Sequence, residues 1–209
     1  MTRGPARVAV VDHGAGNLVS ISQALTRCGA ETEIVSSPTD LAAYDGIVLP
    51  GVGATRTVMD GIEAGGFARP LRTTDRPLLG ICVGMQVLFE ASEEDGAPCL
   101  GIIEGTVCRL EAAPSLPHIG WNDLQLIGED PLFEGLVDPV VYFVHSYAPV
   151  PTRPEVVTAT AEHGRSFVAA VRQGTVVGVQ FHPERSGSAG LRILARFVAS
   201  CRRRPADVA

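Results

Sequence analysis

The chain has 209 residues, 45% of them hydrophobic and 19% charged, with a formal net charge of −6 and a pI of about 5.3. That length buries roughly 70% of the unfolded surface, enough for one domain over residues 1–209 without a disulfide or a metal. The acidic balance argues against a nucleic-acid surface, and no 18-residue apolar run is present to span a membrane.

All 17 basic residues are arginine. Without lysine there is no Schiff-base chemistry, no pyridoxal attachment and no Walker phosphate loop. The five cysteines (Cys28, Cys82, Cys99, Cys108 and Cys201) include no pair at zinc spacing, so neither a metal nor a cofactor is expected. Met1 to Arg7 lacks the apolar core of a signal peptide. A reducing, cytoplasmic setting follows as an expectation. Arg202-Arg203-Arg204 reads as a solvated tail.

In chain order, Arg7 to Val11 predicts a buried strand, followed by a turn at Gly14-Ala15-Gly16. Leu18, Ile21, Leu25 and Cys28 then recur at helical spacing until Gly29. Glu31 to Val35 predicts a second strand, Leu41 to Tyr44 a short helix, and Gly46 to Leu49 a third strand ended by Pro50-Gly51. Leu78 to Ile81 predicts a fourth strand, and Gly84 to Ala91 a helix. Strands alternating with helices imply an α/β fold with a mostly parallel central sheet. The second half changes character: Thr106–Leu110, Val140–Val144, Val156–Thr160, Phe167–Arg172 and Val176–Phe181 are short strands with few helices between them. They predict an antiparallel addition, with Val176–Phe181 rejoining the main sheet. Ala189 to Cys201 predicts a closing amphipathic helix, with Leu191, Leu194, Phe197 and Val198 inward.

The strongest chemical signal is Gly80-Ile81-Cys82-Val83-Gly84. A nucleophile between glycines, after a strand and before a helix, is the pattern of a nucleophile elbow. It lifts the sulfur to the carboxyl end of the sheet, sets it at a helix N-terminus that favours a thiolate, and turns the Val83 amide toward a developing oxyanion. A thiol nucleophile works with a base and an orienting group, and His182-Pro183-Glu184 supplies both at the end of a strand. Gly51-Val52-Gly53 lets backbone amides approach a substrate, as the other half of an oxyanion hole. Gln86 lies one helical turn after Cys82, where an amide can bind a polar substrate group. Glu94 is a candidate partner for a substrate ammonium, and both Gln86 and Glu94 are read alternatively as surface residues.

Together, PGVG at 50–53, GICVGMQ at 80–86 and HPE at 182–184 resemble the class I glutamine amidotransferases, in that family's order and over nearly the whole chain. The resemblance implies a three-layer fold in which helices flank the mostly parallel sheet and antiparallel strands are added. It also implies hydrolysis of glutamine to glutamate through a thioester on Cys82. DHGAGNL at 12–18, PHIGWN at 117–122, YFVHSY at 142–147 and HPERSG at 182–187 are similar to the glutaminase subunits of imidazole glycerol phosphate synthase within that family. This narrower resemblance implies a heterodimer with a (β/α)8-barrel cyclase that uses the ammonia in histidine biosynthesis. It also implies substrate contacts at Gln86, Glu94, Ser146 and Tyr147, and a partner interface at Asn17, His118, Trp121, Asn122, Tyr142 and Arg185. His13, Val83 and Arg185 depart from the tyrosine, leucine and lysine usual there. A glutaminase serving a different acceptor, a peptidase of related fold and a non-catalytic binding module are the alternatives. The intact triad speaks against the last of these.

Overall fold

A computed structural model describes residues 4–38 and 41–202. Its strands are β1 (Ala6–Val11), β2 (Ala30–Val35), β3 (Gly46–Gly51), β4 (Leu78–Cys82), β5 (Ala91–Ser92), β6 (Gly105–Arg109), β7 (His118–Asp123), β8 (Gln125–Leu126), β9 (Val140–His145), β10 (Tyr147–Pro151), β11 (Val157–His163), β12 (Arg165–Gln173) and β13 (Val176–Val179). The helices are α1 (Leu18–Arg27), α2 (Thr55–Ala64), α3 (Ala68–Thr73), α4 (Val83–Gln86) and α5 (Gly187–Cys201).

The main sheet has eight strands in the order β2-β1-β3-β4-β13-β12-β11-β8. Pairing is parallel from β2 to β13 and antiparallel beyond it. Every residue of β3, β4 and β13 is buried, as expected of strands covered on both faces. Two smaller sheets, β10-β6-β5 and β7-β9, complete the addition, with β10–β6 and β7–β9 antiparallel and the short β5–β6 pair parallel. The expected return of the 176–181 segment is met: β13 lies beside β4, with Val179 opposite Ile81. In α5, Leu194, Phe197 and Val198 are buried, Leu191 is partly so, and Ile193 joins them. Among the described residues no helix is long and apolar enough to cross a membrane. Arg203 and Arg204 of the basic tail lie outside the described residues, while Arg202 donates to the Gly29 carbonyl at 2.9 Å.

Three local expectations are corrected. Pro50-Gly51 continues β3 instead of ending it, pairing with Ile81 and Cys82. The β1 ladder stops at Val48, so a proline is tolerated there as on an edge. The helix expected over 84–91 is a single turn, Val83–Gln86. The carbonyls that would propagate it are taken by the 100–103 segment: Leu100 N–H donates to Val87 O at 2.9 Å and Ile102 N–H to Leu88 O at 2.8 Å. Finally, α2 was not anticipated, although Thr55, Val58, Met59 and Ile62 form a helical stripe that is buried. Its internal Gly61 disguises that stripe; a side chain there would strike the His13 carbonyl.

Candidate active site

The elbow is a consequence of close backbone packing. Cys82 adopts φ 55° and ψ −114°, a strained conformation for a residue with a side chain. The flanking glycines make room for it. A Cβ on Gly80 would come within 2.6 Å of Gly84 O, and one on Gly84 would strike the Leu49 carbonyl. Gly51 meets the same turn from the other side, where an added Cβ would come within 2.5 Å of Gly84 N. The need at Gly51 is therefore proximity, whereas Gly53 has open space around it and a φ of 82°. Because α4 is so short, its dipole is a small influence on the sulfur, and the close neighbours of Cys82 matter more.

His182 follows β13 and faces the elbow. Its main chain is pinned on both sides: its N–H donates to Tyr142 O at 2.9 Å and its carbonyl accepts from Ser186 Oγ at 2.6 Å. Its Nδ1 lies 2.9 Å from Glu184 Oε1, and the two side chains are only 8% and 4% exposed. A carboxylate oxygen only accepts, so Nδ1 carries the proton and Nε2 is left for Cys82. Burial acts against a charged imidazole here. Hydrogen bonding and charge from Cys82 and Glu184 overcome it and raise His182 to about 10. The two partners thus favour the protonated form of His182.

Cys82 and His182 open into a cleft of about 180 Å³ shared with Val52, Gly53, Val83, Gln86, Glu94, Ser146, Tyr147 and Arg185. Gly51 lies just behind it, under Val52. Of the residues assigned to the triad, the oxyanion hole and the substrate, all but Gly51 and Glu184 line this cleft, and Glu184 reaches it through His182. A larger groove of about 990 Å³, bordered by Arg109, His163 and Arg165, contains none of the triad. Chemistry, not size, identifies the site.

Two substrate residues are more constrained than their positions in the sequence suggest. Gln86 is 3% exposed and its Nε2 donates to Tyr147 O and to Gln180 Oε1, both at 3.0 Å. Only its Oε1 is left to meet substrate, as an acceptor for an N–H or ammonium group. Glu94 Oε2 accepts from Thr55 N at 2.9 Å and Thr55 Oγ1 at 3.0 Å, tying the start of α2 to the rim of the cleft.

The interface residues separate by strand alternation. Along β7, Ile119 and Trp121 are 59% and 57% exposed, whereas His118 and Asn122 turn the other way. His118, expected on the docking face, is buried against Phe143 and His163. Asn122 spends its amide on Glu162 O at 2.7 Å. Outward, Trp121 meets Tyr142 edge-on at 5.9 Å, and the Arg185 guanidinium sits 4.5 Å over the Tyr142 ring. Asn17 is exposed at the N-cap of α1, accepting from Ser20 N at 3.4 Å.

Three residues were not anticipated from sequence. His13 Nε2–H donates to Pro50 O at 2.6 Å, bracing the strand that carries the oxyanion loop. Gln180 lies 3.7 Å from the Cys82 sulfur and is fully buried. A lone amide inside VVGVQF was the available signal. His145 borders the cleft, with Nδ1 2.8 Å from Tyr147 O and Nε2 3.0 Å from His118 Nδ1. Burial, only partly offset by the Tyr147 carbonyl, pulls His145 down to about 3, and burial together with His163 pulls His118 down to about 4. These folded-state values lie below that of an unfolded histidine, so between about pH 6.5 and 4 the unfolded chain binds protons the folded one refuses. Stability is expected to drop as the pH is lowered through that window. Urea unfolding midpoints from pH 7 to pH 4 test this; an acid limb no shallower in His145→Asn would remove His145 as a cause.

A strained cysteine elbow, a buried histidine–carboxylate pair and an adjoining glycine loop form an arrangement suited to nucleophilic attack on an acyl group. The Glutamine amidotransferase class-I family model matches residues 9–201, and the chain belongs to that family. Similar curated proteins are named imidazole glycerol phosphate synthase subunit HisH. The protein of that name from Synechococcus sp. strain JA-3-3Ab is 49% identical over 206 residues, covering 95% of each chain. The one from Cutibacterium acnes is 47% identical over 200 residues, covering 93% of this chain and 97% of its own. Among solved structures, a glutamine amidotransferase aligns with a TM-score of 0.72 at 26% identity, covering 93% of this chain and 98% of that one. PurLQS from Thermotoga maritima aligns with a TM-score of 0.73 at 20% identity, covering 93% and 98%, which bears on the fold alone.

Proposed function

We propose that this chain, read as one amidotransferase domain over 1–209, is the glutaminase subunit of a cytoplasmic imidazole glycerol phosphate synthase. It hydrolyses glutamine and passes ammonia to a (β/α)8-barrel cyclase. The observation that carries the reaction is the meeting of Cys82, His182, Val52 and Gly53 in one cleft, with Glu184 bonded to His182. The near full-length identity to the HisH proteins supports the choice of acceptor.

The Cys82 thiolate attacks the side-chain amide carbon of glutamine. The resulting oxyanion is met by the Val83 amide and by amides of Gly51, Val52 and Gly53, each worth about 3 kcal/mol when aligned. His182 gives its proton to the departing nitrogen, and ammonia leaves a thioester. Neutral His182 then takes a proton from water, the hydroxide attacks the thioester, and the thiolate departs with glutamate released. Glu184 holds the imidazole through both steps. Gln86 Oε1, Glu94, Ser146 and Tyr147 surround the amino-acid end of the substrate.

Arg185 lines the cleft and also belongs to the outward Trp121–Tyr142–Arg185 stack, so a partner docked there covers the exit of the site. With Asn17 and exposed Ile119, this face has the apolar and aromatic character of an interface centre. Ammonia in water is protonated and lost as a nucleophile, so turnover should await docking. Glutamate release is expected to be slow for the isolated chain and strongly stimulated by the cyclase with its ribonucleotide ligand bound. Trp121→Ala should weaken cyclase affinity by about tenfold or more while leaving the fold intact. Equal glutaminase rates with and without liganded cyclase would remove the gating; unchanged affinity in Trp121→Ala would remove the docking face.

A further inference from the structure

We infer that Gln180 is a catalytic residue that holds and stabilises the Cys82 sulfur through a hydrogen bond whose direction is dictated by its neighbours. The inference rests on the glutaminase reading and adds a residue to it.

The polarity of the network follows from one fixed acceptor. The Tyr147 carbonyl can only accept, so the group of Gln86 that lies 3.0 Å from it is the amide nitrogen. The same nitrogen lies 3.0 Å from the Gln180 side chain, so Gln180 must answer with its oxygen; the opposite orientation would set two NH2 groups against each other. Gln180 Nε2 is thereby turned to Cys82 Sγ at 3.7 Å. Gln180 is fully buried and Gln86 nearly so, leaving no water to compete. Besides His182, the sulfur has the Val144 carbonyl as a close polar neighbour, at 3.7 Å, which suits a thiol proton and repels a thiolate. Gln180, like protonated His182, is a contact that improves as negative charge gathers on sulfur.

That charge is present twice in the cycle. It is on the thiolate before attack, and it returns to sulfur when the thioester C–S bond breaks and the electron pair leaves with Cys82. A fixed N–H donor raises the thiolate fraction and assists the departure, at a smaller loss of intrinsic nucleophilicity. Gln180 also follows β13 directly and precedes His182 by two residues, so one segment delivers both the base and the sulfur's donor. Gln86, in turn, acts on the sulfur indirectly, as the positioning residue that keeps the Gln180 amide the right way round.

The test compares wild type, Gln180→Met and Gln180→Glu. The first variant removes the donor without adding charge. The second keeps the bond from Gln86 and presents only oxygen to sulfur. Iodoacetamide alkylation of Cys82, followed by peptide mass from pH 5 to pH 10, reads the thiolate without needing glutamine. Glutamate release by the complex with cyclase reads catalysis. Both variants are expected to move the Cys82 alkylation midpoint to higher pH and to lower kcat about tenfold or more, with KM within about twofold, the range for losing one hydrogen bond to a charged group. An unchanged midpoint in either variant, with native unfolding behaviour, would overturn the proposal and leave Gln180 a space-filling residue. If one variant does not fold, the other decides by the same criterion. A shifted midpoint in a protein that releases no glutamate even as wild type would uphold the role of Gln180 at the sulfur and count against the glutaminase reading alone.

Discussion

Cys82→Ala is expected to lower glutamine hydrolysis by at least about 10⁴-fold in the presence of the cyclase, with little change in stability. The loss is large because nothing else in the cleft replaces the sulfur. Glu184 is committed to His182, Glu94 is committed to Thr55, and the other cysteines lie elsewhere. Binding of glutamine should survive, since the contacts assigned to its amino-acid end do not involve sulfur. Steady-state glutamate release and equilibrium glutamine binding together make the check. Residual turnover within about 100-fold of wild type would mean that water, activated by His182, attacks directly and that no thioester is on the path. Alanine keeps the Cβ and therefore the strained backbone at φ 55°, so the unfolding midpoint should stay close to that of the wild type.

Gly84→Ala should be the most damaging small substitution in the elbow, costing about 3 kcal/mol or more. The added methyl is aimed at the Leu49 carbonyl and at the Pro50 main chain, both parts of β3 in the middle of the sheet. Neither can retreat without breaking the β3–β4 ladder. Gly53→Ala makes the useful comparison. Its Cβ meets nothing within 4 Å, and only the positive φ opposes it, at about 1–2 kcal/mol. Stability measured by denaturant titration should therefore rank wild type, Gly53→Ala and Gly84→Ala in descending order. If Gly84→Ala lay within 1 kcal/mol of wild type, close contact between α4 and β3 would not be the reason for the glycine.

Much of this arrangement is legible in the sequence because the same residues that shape the backbone also carry the chemistry. GICVG reports both a turn and a nucleophile, and HPE reports both a restricted backbone and a base with its orienting group. Strand β13 could be placed in the main sheet because its run is apolar throughout, as a strand buried on both faces must be. What escaped is long-range hydrogen bonding. Nothing local in Val87-Leu88-Phe89 says that the 100–103 segment will take its carbonyls and stop α4 after one turn. Likewise the orientation of Gln86 depends on the main-chain oxygen of Tyr147, 61 residues away. The facing of β7 was misjudged for His118 because a histidine suits a surface as readily as a neutral buried network. Only the neighbours Phe143, His145 and His163 decide between them.

The place of β13 beside β4 has a consequence for how the enzyme comes into being. Cys82 and His182 are 100 positions apart in the chain, yet they end adjacent parallel strands. A chain emerging from the ribosome completes β1 to β4 and the elbow long before β13 has been synthesised. Until then the thiol has no histidine to take its proton and no amide to hold its charge. Both arrive together when the final strand slots between β4 and β12. Closing so long a span is slow relative to local structure, so the arming of the nucleophile waits on a long-range contact. Partly made or truncated chains therefore carry an inert cysteine, and reactivity at Cys82 becomes a reporter of completed synthesis.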